Sequence, residues 1–216
     1  MKKKISLFII FYLVSNAIFS QQSISILKWG KITEEEKELT FVEFEPQAPA
    51  VNLYRNSHMY FNTNPGGRHL FLFYEYYTRI KFFSNYQTNS YSVSIPYYDF
   101  GSELRGEVDI KIKAQAFIPD GNGNLNKTKI KGSSIEHKKT DKYGRLAIIY
   151  FNNIKPGTII EYVITRPSFD FEDPRDWEFQ DNLPTLNSTF EATIPETFQY
   201  LLKTQYIDSF DIQKEE

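Results

Sequence analysis

The 216-residue chain contains no cysteine. That single absence excludes disulfide bracing, thiolate nucleophiles and thiolate metal ligands. It also excludes a lipid anchor of the bacterial lipoprotein kind, which is built on a cysteine at the cleavage site. Histidine is scarce: His58, His69 and His137 are the whole set. None stands at ligand spacing or beside a carboxylate in a metal motif. No Gly-x-Ser-x-Gly elbow supports a serine triad. No glycine-rich phosphate loop follows a strand, and "NPGGRH" (64–69) reads as a hairpin turn. There is no basic surplus either, since the formal net charge is −2. A mildly acidic chain with interspersed signs gives no footprint for nucleic acid.

What is present begins with export. Lys2, Lys3 and Lys4 precede an apolar run from Ile5 to Val14, and small or polar residues follow up to Ser20. That order is the layout of a secretory signal peptide cleaved after Ser20. The run is short for a membrane span of about 20 residues, and Ser15 and Asn16 close it. Export is therefore the reading, to the periplasm or the exterior, with no membrane span after the signal is removed. Taking residues 1–20 from 216 leaves 196, and the loss of three lysines moves the formal charge from −2 to −5. Without disulfides, such a chain depends on its core, and this length suffices for one well-buried domain.

Residues 21–27 form a short polar lead-in. Thr33 followed by Glu36 fits a capping box, which predicts a short helix over 34–39. Pro46 and Pro49 end it. Strand patterns then dominate. In "LFLFYEYYTRIKFF" (70–83), Leu70, Leu72, Tyr74, Tyr76, Ile80 and Phe82 share one face. The other face opens apolar at Phe71 and Phe73 and turns polar at Glu75, Arg79 and Lys81. "VDIKIKAQAF" (108–117) alternates Val108, Ile110, Ile112, Ala114 and Ala116 inward against Asp109, Lys111, Lys113 and Gln115 outward. "PDGNGN" (119–124) turns it into a partner at 125–131. Further strands are predicted at 51–54, 59–62, 91–95, 146–151, 158–165, 190–194 and 200–204, with a tight turn at 153–158. This pattern predicts an all-β fold, an antiparallel β-sandwich immunoglobulin-like in general architecture. One domain spans 28–204, and 205–216 is a polar tail or the start of a following region.

Two segments invite a chemical reading. "DGNGNLN" places Asp120, Asn122 and Asn124 like the opening of a calcium loop, but Leu125 stands where glycine belongs and Lys131 where the last glutamate belongs. It reads as a hairpin turn. "DPRDWEFQDNLPT" (173–185) crowds acids around Trp177, and Asp170, Glu172, Asp173, Asp176, Glu178 and Asp181 fall within twelve residues. A glycosidase-type pair could be drawn from them. Acid–base work, however, needs two carboxylates held in different environments across a cleft. A proline-bounded loop, stiffened by Pro174 and Pro184, more simply fastens Trp177 and Phe179 to a sheet while its acids stay solvated. Asp176, Trp177, Phe179, Gln180 and Pro184 are its structural residues. Aromatic residues are 17% of the chain. Most suit core and cross-strand packing, while Phe71, Phe73, Tyr97 and Tyr98 are the candidate interaction surface.

Several segments, taken in order, are similar to the family named domain of unknown function 3857. They are "KWGKITEEE", "EPQAPAVNLY", "YTRIKFF", "YSVSIPYY", "IKAQAFIPDGNGNLNKTKI", "IKPGTIIEYVITRP", "DWEFQDNLPT" and "ATIPETFQY", covering about 28–203. The resemblance implies an exported β-sandwich module of Gram-negative envelope proteins, standing ahead of a transglutaminase-like domain with a Cys-His-Asp site. It carries over no catalytic residues and no cofactor, and it makes "DWEFQDNLP" a structural segment. A cysteine nucleophile is needed for that neighbour's chemistry, and this chain has none. The expectation is a non-enzymatic accessory or interaction domain whose partner is a downstream or separate transglutaminase- or protease-like domain. The alternative is a free-standing envelope module binding peptide or glycan, with an aromatic patch around Tyr97, Tyr98 or Trp177.

Overall fold

The computed structural model describes residues 29–63, 69–84, 86–98, 110–168, 171–172, 174–201 and 203. The signal peptide (1–20), the lead-in (21–27), the turn at 64–68, Val108, Asp109 and the tail (205–216) lie outside the described residues.

Among the described residues one short α-helix, α1 (Glu34–Glu38), precedes nine strands. Its capping box forms as the sequence predicts: Glu36 N donates to Thr33 Oγ1 at 3.2 Å, and Thr33 N donates to Glu36 Oε2 at 2.8 Å. The strands are β1 (Ala50–Thr63), β2 (Leu70–Phe82), β3 (Ser90–Tyr98), β4 (Lys111–Pro119), β5 (Leu125–Ile130), β6 (Glu136–Lys139), β7 (Gly144–Asn152), β8 (Ile159–Ser168) and β9 (Ser188–Thr193). A six-stranded sheet runs β5-β4-β8-β2-β1-β9, and a three-stranded sheet runs β3-β7-β6. The all-β, sandwich-like class follows directly.

The main core lies between the sheets. Ile80, Phe82, Ala114, Ala116, Ile160 and Ile164 face Ile95, Ala147, Ile149 and Phe151. Each fully buried isoleucine or phenylalanine among them contributes about 1.5–3 kcal/mol by leaving water. The small sheet cannot cover the whole inner face of the larger one. Beyond its reach, Met59, Leu72 and Tyr74 are buried with Phe61, Tyr76, Phe171 and Phe190 packed against them. The covering there comes from residues after β8.

Four expectations need correction. The two predicted strands at 51–54 and 59–62 are one strand, with a register irregularity between Asn52 and Tyr54. Of the polar residues between them, which read as a break, Arg55 bonds to the loop after β8 and His58 to Thr193 of β9. Residues 200–204 read as a strand, yet the described ones, Tyr200, Leu201 and Lys203, are in none. Instead Phe198 and Tyr200 stack on Phe61 at 4.4 and 6.4 Å, and Tyr200 Oη donates to Phe171 O at 2.7 Å. β6 has no alternation to betray it: all four residues, "EHKK", are exposed, and its ladder is with β7. Finally, β9 runs parallel to β1, so the larger sheet is mixed rather than wholly antiparallel.

Candidate functional site

The parallel placement of β9 explains the acidic loop. β8 and β9 run in the same direction with β2 and β1 between them, and parallel strands require a long crossover connection, usually a helix. Here a proline-bounded extended segment makes the crossing over the inner face. Its aromatic side chains do the packing that a helix would do. Trp177 stacks on Tyr76 at 6.1 Å and meets Phe179 edge-on at 6.4 Å. Arg175 N donates to Tyr74 Oη at 3.0 Å.

The far end of the crossing is sewn to β1. Asn52 N donates to Pro184 O at 2.9 Å, Leu186 N to Asn52 O at 2.9 Å, and Arg55 N to Asn187 O at 2.8 Å. The buried Asn52 amide donates to Asp181 Oδ1 and Thr185 Oγ1, both at 3.1 Å. Arg55 Nη1 donates to Glu178 O at 2.8 Å, its Nε lies 3.3 Å from Asp181 Oδ2, and its guanidinium sits 5.0 Å from the Trp177 ring centre. The Gln180 side chain brackets Thr185, accepting from its N at 3.1 Å and donating to its O at 3.3 Å. Of the predicted structural residues, Trp177, Phe179, Gln180 and Pro184 all take part in the crossing or its anchoring, and Asp176 is exposed. Asp181 is occupied by Asn52, Arg55 and Leu183 N. Asp120 likewise accepts from Asn122 N at 2.7 Å and Asn124 N at 3.1 Å, as a hairpin turn requires.

The expected interaction surface does not assemble. Phe71 is fully buried and Phe73 half-buried, stacked on Tyr60 at 5.4 Å, on the outer face of the large sheet. Tyr97 and Tyr98 lie on the small sheet instead. Tyr97 Oη shares a 2.9 Å hydrogen bond with His137 Nδ1, while Tyr98 is 59% exposed. At the apolar opening of β2's second face, Phe71 is thus enclosed and Phe73 half-covered.

The polar end of that same face is also enclosed, which alternation alone does not reveal. Arg79 and Glu161, partners in register, are both completely buried. Arg79 Nε and Nη2 donate to Glu161 Oε2 at 3.0 and 2.6 Å, and Nη1 donates to Glu36 Oε1 at 2.7 Å and Lys31 O at 2.9 Å. Glu161 also accepts from Tyr77 Oη at 3.0 Å, from Gly30 N at 2.6 Å and from Gln115 Nε2. Gly30 has φ +74°, the left-handed conformation that glycine adopts without strain. Lys81 Nζ donates to Glu36 O at 2.6 Å and Lys37 O at 2.5 Å, binding the end of α1. Two cations and two carboxylates thus clamp the N-terminal segment onto the sheet. The signal available in the sequence was the pair Arg79 and Lys81 facing away from a strong apolar face, with a run of glutamates upstream.

At the other end of the inner face, Arg166 is 8% exposed. Its Nη1 donates to Pro96 O at 2.6 Å, its Nη2 reaches Tyr76 Oη at 3.4 Å, and its guanidinium lies 5.7 Å from the Tyr76 ring centre. Burial lowers its pKa, and the positive charge of Arg175 also acts in that direction. On the outer face, His58 is buried with Nε2 2.9 Å from Thr193 Oγ1 and 4.0 Å from Glu191, and burial lowers its pKa. Glu75, its register partner, is raised by burial.

No family model matches the chain, and no curated protein matches it. Solved structures similar to it include a candidate nutrient binding protein from Legionella pneumophila subsp. pneumophila, 10% identical with a TM-score of 0.30. That likeness covers 56% of this chain and 40% of the other, so the chain spans well under half the length of the structure it matches.

Proposed function

We propose that the chain is an exported, non-catalytic β-sandwich accessory or interaction domain, of the kind that stands ahead of a transglutaminase-like Cys-His-Asp domain. The observation that supports it best is the fate of the acidic loop. The Asp181 side chain and the Glu178 carbonyl bind Asn52 and Arg55, and Trp177 packs the crossing from β8 to β9 onto Tyr76, while Asp170 and Asp173 lie outside the described residues. The absence of cysteine and the signal-like start favour the same reading, as does the ordered resemblance to the 3857 family. A second reading, an envelope module that binds peptide or glycan by itself, is favoured by Tyr98, Tyr143 and Tyr150, which are 59%, 55% and 42% exposed.

The test is the mass of the native protein in the producing bacterium's envelope fraction, detected with an antibody to residues 28–203. A species much heavier than the 25.4 kDa chain is expected if these residues front a larger protein. A species near that mass less its signal, with no transglutaminase- or protease-like protein co-purifying, would overturn the accessory reading and favour the second.

A further inference from the structure

We propose that Arg166, with Arg175 and the hydroxyls of Tyr74 and Tyr76, forms a binding site for one carboxylate group. This goes beyond the accessory reading and stands whether or not a catalytic neighbour exists.

The argument begins with a contrast between two buried arginines. Arg79 is matched by Glu161 and Glu36. Arg166 is nearly as enclosed, at 8% exposed, yet no carboxylate partners it among the described residues. Its protein acceptors are one backbone carbonyl, Pro96 O, and one phenol, Tyr76 Oη. A buried charge without a countercharge is costly, and Arg175, whose backbone N donates to Tyr74 Oη at 3.0 Å, brings a charge of the same sign to that end of the sheet. Two cations at one end of a sandwich raise the local positive potential that an anion would relieve.

The geometry suits a carboxylate in particular. A guanidinium carries five N–H groups, and its Nε/Nη2 edge matches the two oxygens of a carboxylate. Among the described residues Arg166 Nε has no protein acceptor and is not one of the sealed, unsatisfied polar atoms, so Nε is within reach of solvent. Tyr74 Oη accepts from Arg175 N, which leaves its own O–H to donate; Tyr76 Oη accepts from Arg166 Nη2 and can donate likewise. The Tyr76–Trp177 stack and the Tyr74–Tyr76 stack, both 6.1 Å, hold the phenols in place. Such preorganisation favours a small, directed site over a diffuse surface.

The experiment uses the signal-free chain labelled with ¹⁵N-arginine, following the Arg166 Nε–H resonance by NMR. The probes are sodium acetate and an acetylated alanine tripeptide with a free C-terminus, with the tripeptide amide and sodium chloride at matched ionic strength as controls. Saturable shifts with the two acids, absent with the controls, are expected, and Arg175→Ala should weaken them several-fold. Arg166→Met, followed by calorimetry, should weaken binding about tenfold or more. Tighter binding of the tripeptide acid than of acetate marks a chain terminus as the source, and equal binding marks a free acid. No saturation with either acid, or equal shifts with sodium chloride, overturns the proposal. Should Arg166→Met fail to fold, Arg175→Ala with Tyr76→Phe replaces it, and undiminished acid binding there overturns the proposal as well.

Discussion

Lys81 reaches from β2 to the last carbonyls of α1, and burial brings its pKa down to about 8 against the attraction of Glu36. The folded protein therefore releases this proton at lower pH than the unfolded chain, whose lysines titrate at about 10.4. Between those values the unfolded state holds more protons, so stability rises with pH through that window. The contribution of Lys81 is complete above the unfolded pKa and is lost as pH falls through about 8. Tyr60, raised to about 12 by burial, and Tyr77, raised by burial to still higher values, act oppositely. Their unfolded forms ionise near 10, so stability falls above that pH. Denaturant midpoints should climb from pH 8 toward 10 and then drop, and Lys81→Met should remove the climb while sparing the drop. A variant that keeps the climb would show that another group carries it.

The crossing segment shows how much of an element can be read in advance. Its role as a fastening was legible, because acids on a loop stiffened by Pro174 and Pro184 are more simply solvated than paired across a cleft, and two aromatics need a surface. Its cause was not, since the parallel direction of β9 depends on register with β1, more than 125 positions away in sequence for each pair. β2 and β4 were legible from alternation, whereas β6 was invisible because an exposed four-residue strand has no apolar face. Phe71 misled for the opposite reason: an aromatic on the second face of a strand looks exposed until both faces prove covered. The buried pair Arg79 and Glu161 could not be foreseen from alternation, which treats every charge as solvated. If Trp177 packs the crossing, Trp177→Ala should cost about 2–3 kcal/mol, below the roughly 3–5 of a fully buried tryptophan. It should also open 171–187 to limited proteolysis. Asp176→Asn should stay within about 0.5 kcal/mol, as exposed substitutions do. Equal costs from urea titration would refute the packing role.

For the molecule as a whole, the first strand is finished by the last. β1 pairs with β2 on one side and with β9 on the other, so its hydrogen bonding is incomplete until residue 193 is in place. A chain ending at Ser168 would leave that edge bare, together with the apolar surface of Met59, Phe61, Leu72 and Tyr74. Such a chain should be insoluble or lack a cooperative unfolding transition, and a soluble fragment with a sharp melt would contradict the view of 29–193 as one folding unit. The opposite margin of the sheet ends in β5, whose edge carries Lys127 and Lys129. Were two molecules to align these margins antiparallel, lysines would confront lysines across the new ladder, and like charges set opposite one another repel. A protein built largely of strands is thereby kept from polymerising through that margin, and crowding in a confined compartment would not by itself drive it into fibres from that side.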